Sequence, residues 1–393
     1  RLDYLDQHDY FDHPQGGWRT TDAVQHNRSM LKSPQAGLIG NLAPRQVINR
    51  PYTVSEWNIG GWNEHLMEAS FSMVSTGLLQ GWDGLIHFVL LPRGKYQDNE
   101  MLSNGFFNVG QNPSVIQQYP TLARMWHRKD IQEAEPVFIR RIAPSEINMP
   151  SMIPTRFLPE AFIPNFADDL PDKDQYGHML SIVGKVGNEF VSSPQPHFEA
   201  EHIDQYLDQE GKKVKSMSGE LFWDWGNGYM VIDTQKSQGV CGYIGDLQIA
   251  TRSLRIESET RYGMVLVTSL DDERSIDESG SILITALGRA RNTGTVYGNA
   301  ADRTGKSDRH ASNIRLPEDQ RVAVLELGEA PIITEPITGS LTLSIKNPKK
   351  ARAYIIDDLG QRKNEVKTKV VGQKLQVDLP GNFKSRFLEI SLK

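Results

Sequence analysis

The sequence predicts two fold classes in one chain, an α/β part over residues 1 to 140 and an all-β part from about residue 216 onward. Three observations predict this. Before residue 140, short apolar stretches of strand length alternate with helical periodicity. From 141 to 215 the chain is Pro-rich and irregular. Beyond it, short strand-like segments recur with turn residues between them. At 393 residues the chain is long enough for two or three domains, each with a full core.

The elements follow in order. "LDYLDQHDYF" is a strand candidate that turns polar and aromatic toward its end, and "PYTVSEWN" is a second. Between them, residues 21 to 50 are polar and punctuated by Pro and Gly, with a short helical stretch around Gly37 to Val47. The clearest helix follows: Asn63 is an N-cap candidate, Glu64 falls in the first turn, and Met67, Phe71, Val74 and Leu78 form an apolar stripe. Gly81 ends it. "GLIHFVLL", residues 84 to 91, is a continuous apolar run of the kind found in buried parallel strands. Strand, crossover, strand, helix, strand is the grammar of a parallel sheet or barrel. A further helix is expected in "PSVIQQYPTLARMWHRKDI", interrupted or kinked at Pro120.

"PSMIPTRFLPEAFIPNF" belongs to a connector over 141 to 215, expected to lie on a surface. "GELFWDWGNGYMVIDT" reads as a hairpin turning at Asn227-Gly228. "MVLVTSL", "SILITALG" and, further on, "RVAVLEL" add strands of the same kind, and a β domain is expected over 216 to 310. "GSLTLSI", "RAYIID", "KTKVV", "KLQVDL" and "FLEISL" form a C-terminal β-sandwich over 311 to 393.

Composition excludes several classes. A net charge of -6 disfavours a nucleic-acid partner, and the one basic tract, "KNPKKAR", reads as a solvated loop. No apolar run is long enough to span a membrane as a helix. The single Cys241 allows no intrachain disulfide, and its neighbours in "GVCGYIG" suit a buried thiol. The chain starts at Arg1, already in strand-like sequence, and reads as the continuation of something longer.

The sharpest candidate for chemistry is Glu56, at the far end of the second strand. In an α/β barrel, the C-terminal ends of the strands face the active-site mouth. Val54 and Glu56 are expected to share a strand face, with the Val buried below and the Glu at the rim. Trp57 and Asn58 follow at once. The first strand brings His8 and Tyr10 to its end, and the third brings His87 and Phe88. A carboxylate, imidazoles, amides and flat rings at one depth suit sugar chemistry, which needs a nucleophile or charge stabiliser, hydroxyl partners and surfaces for pyranose faces.

These residues carry a resemblance. "VSEWN", with the helix and strand of "EHLMEASFSMVSTGLLQGWDGLIHF", resembles the strand 7 to strand 8 region of clan A glycoside hydrolases, and "LDQHDYFDHP" is similar to their strand 6. "TQKSQGVCGYIG" and "VTSLDDERSIDESGSILITALGRARNTG" look like β domains that follow the barrel in several large members. The resemblance implies that residues 1 to 140 are the C-terminal part of a TIM (β/α)8 barrel, about strands 6 to 8, followed by β-sandwich domains. It implies a retaining glycosidase with Glu56 as nucleophile, with His8, Tyr10, Trp57, Asn58 and His87 contacting a carbohydrate substrate.

The pattern is incomplete. A barrel needs eight strands and about 250 residues, and only three strands fit before residue 140. The family's acid/base Glu follows an Asn on strand 4, and no Asn-Glu pair precedes Glu56. Asn63-Glu64 opens the helix, while Asn99-Glu100, Asn188-Glu189 and Asn364-Glu365 come too late. The expected partner is therefore an N-terminal portion of the same enzyme, carrying strands 1 to 5 and the proton donor. The setting expected is secreted or periplasmic. No cofactor is implied, since a phosphate-binding Gly-rich loop is lacking.

Other readings stand beside these. Glu56 can be a structural ion-pairing residue, and the chain a non-catalytic carbohydrate-binding or assembly module with a degenerate barrel remnant. An esterase lacks its G-x-S-x-G elbow. His8, Asp9, Asp12 and His13 imitate a metal site but suit a substrate-contact loop better. Trp82-Asp83 reads as structural, Trp223 and Trp225 as core residues on one face of a hairpin strand, and "LDDERSIDESG" as a solvated loop.

Overall fold

The computed structural model describes residues 3–17, 19–34, 37–90, 102, 105, 107–147, 175–302 and 316–392. The stretch 150–166 expected to lie on a surface, and Asn99-Glu100, lie outside the described residues. Strands dominate and helices are few. No closed barrel forms among the described residues.

Three parallel strands open the chain, in the order β1 (Leu5–Phe11), β2 (Tyr52–Ile59) and β3 (Gly84–His87). The helical stretch expected before β2 is α1 (Leu38–Leu42), continued by a short 3-10 turn over Ala43–Arg45. Between β2 and β3 runs α2 (Met67–Gln80). It starts later than its expected cap: Asn63 accepts the His65 amide proton at 2.7 Å in a turn upstream of the helix. Gly81 ends it as expected, in the left-handed region at φ 70°. β3 is shorter than the expected 84–91, and Ile86 within it is 61% exposed because it lies on the sheet face away from α2. Pro120 neither breaks nor kinks one long helix. It sits in the first turn of α4 (Tyr119–Arg128), just after α3 (Pro113–Ile116), where its missing N–H costs nothing.

α2 is buried on every side, not along one stripe. The cause is a second sheet. Ten strands, Arg362–Val366, Arg352–Ile356, Phe387–Ser391, Ser281–Leu287, Tyr262–Ser269, Ser237–Tyr243, Tyr229–Asp233, Leu221–Asp224, Lys213–Lys215 and Leu207–Asp208, form one sheet in that order. Alternate residues of its central strands face opposite ways. Tyr262, Met264 and Leu266 join the core containing α2, β2 and Trp223, while Val265 and Val267 join the core shared with a five-stranded sheet. A strand buried on both faces must be apolar throughout, hence "MVLVTSL". The five-stranded sheet mixes Gln248–Ala250 and Leu254–Ser258 with Gly339–Leu343, Lys374–Asp378 and Thr368–Val371. Strands from both sides of residue 310 thus share both sheets and one sandwich core.

The stretch 141 to 215, expected to be an irregular connector, carries regular structure where it is described. Helix Gln175–Val183 leads into strand Lys185–Phe190, which pairs in parallel with Pro136–Ile142. Ile182, Val183 and Val186 are buried in the same core as α2. The polar face of α2 docks there through Gln80: its Nε2 donates to Ser181 O and Gly184 O at 2.7 Å each, and its Oε1 accepts from Gln46 Nε2 at 2.8 Å and Val186 N at 3.0 Å.

Candidate active site

The register of β1 on β2 decides where Glu56 points. Gln7 lies opposite Val54, but His8 lies opposite Glu56, so Ser55 is an extra residue on β2. Such a bulge interrupts the two-residue alternation of side chains. Val54 and Trp57 both stay on the buried α2 side. Glu56 joins His8 and Tyr10 on the other face. The expectation that Val54 and Glu56 share a face is corrected by this one inserted residue; without it, Glu56 would follow Val54 into the core.

On that face the Glu56 side chain is 34% exposed. Its Oε2 accepts a hydrogen bond from the Tyr10 hydroxyl at 2.5 Å and stands 3.6 Å from His8 Nδ1. Oε1 has no hydrogen-bond partner among the described residues. Burial, and then the bond to Glu56, push the Tyr10 phenol well above its ordinary range, so it remains an O–H donor. Asp6, two residues before His8, faces the same way. It accepts from Ser55 Oγ at 2.5 Å, Thr53 Oγ1 at 2.6 Å and the Ser55 amide at 3.1 Å. Burial alone would raise its pKa, but the hydrogen bonds from Ser55 and Thr53 together outweigh it and hold the carboxyl below its usual value.

The other expected pocket residues divide. Asn58 is on the site face but fully buried, and its Nδ2 donates to the carbonyls of Phe88 at 2.5 Å and Phe107 at 3.1 Å. It fastens a loop instead of facing solvent. That loop brings Phe107 against Tyr10, with ring centroids 4.8 Å apart, and His13 stands 5.4 Å from Phe107. Trp57 and His87 are placed behind the sheet, contrary to expectation. Their rings stack at 4.0 Å, and His87 Nδ1 lies 2.5 Å from the Tyr119 hydroxyl. Burial lowers the His87 pKa to about 3, so the ring is neutral. The reason is register: Trp57 pairs with His87 as Val54 pairs with Leu85, on the α2 side.

Asp6 and Ser55 were legible as strand neighbours of His8 and Glu56, although nothing in the local pattern announces the bulge. Phe107 carries no signal, because only tertiary structure brings it to Tyr10.

The possible metal set disperses. Asp12 accepts from His26 N at 3.0 Å, stands 3.1 Å from His26 Nδ1, and accepts from Asn63 Nδ2 at 3.0 Å. His13 Nδ1 donates to Pro14 O at 2.8 Å. Among the described residues, no group of three His, Cys, Asp or Glu side chains is arranged to hold a metal. Glu64, of the Asn63-Glu64 pair, is held by Asn27, which donates from Nδ2 at 3.1 Å and accepts the Glu64 amide proton at 2.8 Å.

A second carboxylate is entirely enclosed. Glu68 accepts from Ser29 Oγ at 2.8 Å, Leu31 N at 3.0 Å and the Tyr262 hydroxyl at 3.1 Å, joining α2 to the ten-stranded sheet. Burial raises its pKa to about 7, against the pull of these donors. Its neighbour His65 is driven down to about 4, first by burial and then by Arg289. In comparisons with family models, curated proteins and solved structures, no match to this chain was found.

Proposed function

We propose that this chain supplies the nucleophile side of a retaining glycosidase. Glu56 attacks the anomeric carbon through Oε1 while Oε2 is held by Tyr10. The acid/base carboxyl comes from an N-terminal portion of the same enzyme that completes a (β/α)8 barrel on β1–β3, and it protonates the leaving oxygen before activating water. A carbohydrate is the substrate, and secretion or export to the periplasm is the proposed setting. The observation that supports this best is the pairing of Glu56 with Tyr10 across β2 and β1, on a half-open polar face, with one oxygen uncommitted. Glu56 lies three residues before the end of β2, short of the strand end expected for it. No Lys or Arg stands in an ion pair with Glu56 among the described residues; its nearest basic group, His8 Nδ1, is 3.6 Å from Oε2, which leaves Oε1 available for attack.

The test uses the enzyme with its upstream portion included. Incubation with 2-deoxy-2-fluoroglycosyl fluorides of glucose, galactose and mannose should give a covalent adduct on Glu56, located by peptide mass. Glu56→Gln should abolish the adduct and reduce turnover by about a thousandfold or more. Sugar binding without any adduct or turnover would instead favour the carbohydrate-binding module.

A further inference from the structure

With Glu56 read as the nucleophile, Asp6, Ser55 and His8 share its sheet face, and their spacing fixes where the protons lie. Ser55 Oγ is 2.5 Å from Asp6 Oδ2 and 2.8 Å from His8 Nε2. A hydroxyl has one proton to give. The shorter contact, to a carboxylate, takes it, since charge-assisted O–H···O bonds are the ones of about 2.5–2.7 Å. Asp6 is the acceptor, because Thr53 Oγ1 and the Ser55 amide also donate to it. Ser55 Oγ therefore turns a lone pair to His8, and His8 Nε2 is the donor, with Asp6 Oδ2 also near it at 3.3 Å. The other ring nitrogen, Nδ1, stands 3.6 Å from Glu56 Oε2. On a neutral ring protonated at Nε2, that nitrogen is a bare lone pair turned to a carboxylate oxygen. A second proton converts the repulsion into attraction.

Resting on the reading of Glu56 as nucleophile, we infer that Asp6 is a positioning residue for it: through Ser55, Asp6 fixes a proton on His8 Nε2 and so makes the doubly protonated ring, with Nδ1–H turned to Glu56, the working state of the site. Glu56 Oε2 is then held between the Tyr10 hydroxyl and the His8 cation, which keeps Oε1 outward. The charged and titratable groups facing His8 are Asp6 and Tyr10 on β1, Glu56 on β2, and Arg45, whose Nη1 is 3.5 Å from the His8 carbonyl oxygen. The His8 side chain is 48% exposed, so salt weakens the effect.

The experiment compares the wild-type enzyme, with its upstream portion, to Asp6→Asn and Ser55→Ala. It reads the pH dependence of Glu56 labelling by the 2-fluoro sugars and the nitrogen-15 NMR signals of His8. Both variants should still label Glu56, but the alkaline limb of the labelling rate should move to lower pH, by about 0.5 to 1 unit in Asp6→Asn, which removes a neighbouring charge from a half-exposed group, and by less in Ser55→Ala, where Asp6 keeps its charge. In the wild type His8 Nε2 should carry a proton throughout the titration, and in Asp6→Asn that preference should be lost. Superimposable pH profiles in variants that still label Glu56 would overturn the inference and leave the glycosidase reading intact. If the wild type does not label Glu56, the functional reading fails on its own. The nitrogen-15 spectrum then still decides the proton arrangement: a bare Nε2 in the wild type overturns it even if neither variant folds.

Discussion

Single residues set the pH response of this protein, and Glu68 pulls against His65 and His87. Burial pushes the Glu68 carboxyl up to about 7 from its ordinary 4.5, so between those values the native state holds a proton that the unfolded chain releases. Its contribution to stability is complete below 4.5 and is lost as pH rises through 7. His65 and His87 act the other way. Their pKa values fall from 6.5 to about 4 and about 3, so the unfolded chain binds protons that the native state refuses. Their contribution is complete above 6.5 and is lost as pH falls toward the folded values. Between pH 4.5 and 6.5 two histidines outweigh one carboxyl, and these three groups together make stability rise with pH. Glu68→Gln should steepen that rise, seen as urea midpoints across the range; an unchanged slope would mean that Glu68 is ionised in the folded state.

Two elements carry sequence features whose meaning is geometric. The β2 bulge at Ser55 is one. Excising Ser55 should restore strict alternation, turn Glu56 toward α2, and bury a carboxylate among Val54, Trp57 and Phe71. An unpaired buried carboxylate costs several kcal/mol, so the expected result is loss of soluble protein or a sharply lowered urea midpoint, while Ser55→Gly keeps the bulge and the fold. The other is Gly81 at the end of α2. Its φ of 70° disfavours any side chain, and an added Cβ would come within 2.5 Å of the Glu133 carboxyl carbon. Gly81→Ala should destabilise by about 1–2 kcal/mol in urea unfolding, most of it from the backbone, because the Glu133 side chain can move.

At the scale of the whole molecule, one core joins the two fold classes. α2 lies between the parallel sheet and the ten-stranded sheet, so neither part can lose its packing alone. Leu266→Ala, on the face toward α2, should cost about 2–5 kcal/mol. Its unfolding should remain a single transition in which tryptophan fluorescence (Trp57, Trp82 and Trp223 all report on this core) and far-ultraviolet dichroism coincide; two separated transitions would show that the layers unfold independently. The sequence by itself determined the parallel β1–β2–β3 unit, the stop at Gly81, and the strands Gly339–Leu343, Arg352–Ile356, Thr368–Val371, Lys374–Asp378 and Phe387–Ser391, because these rest on local periodicity and on backbone freedom that a neighbouring residue or two controls; it did not determine Glu329–Thr334 or Arg362–Val366. It placed Glu56, His8 and Tyr10 on adjoining strands for the same reason. Only the tertiary structure decided that Trp57 and His87 lie behind the sheet, that Asn58 fastens Phe107 over the site, and that α2 is buried all round. Each of these depends on register or on a partner element far along the chain, and a one-residue bulge, invisible in local periodicity, reverses which face a side chain takes.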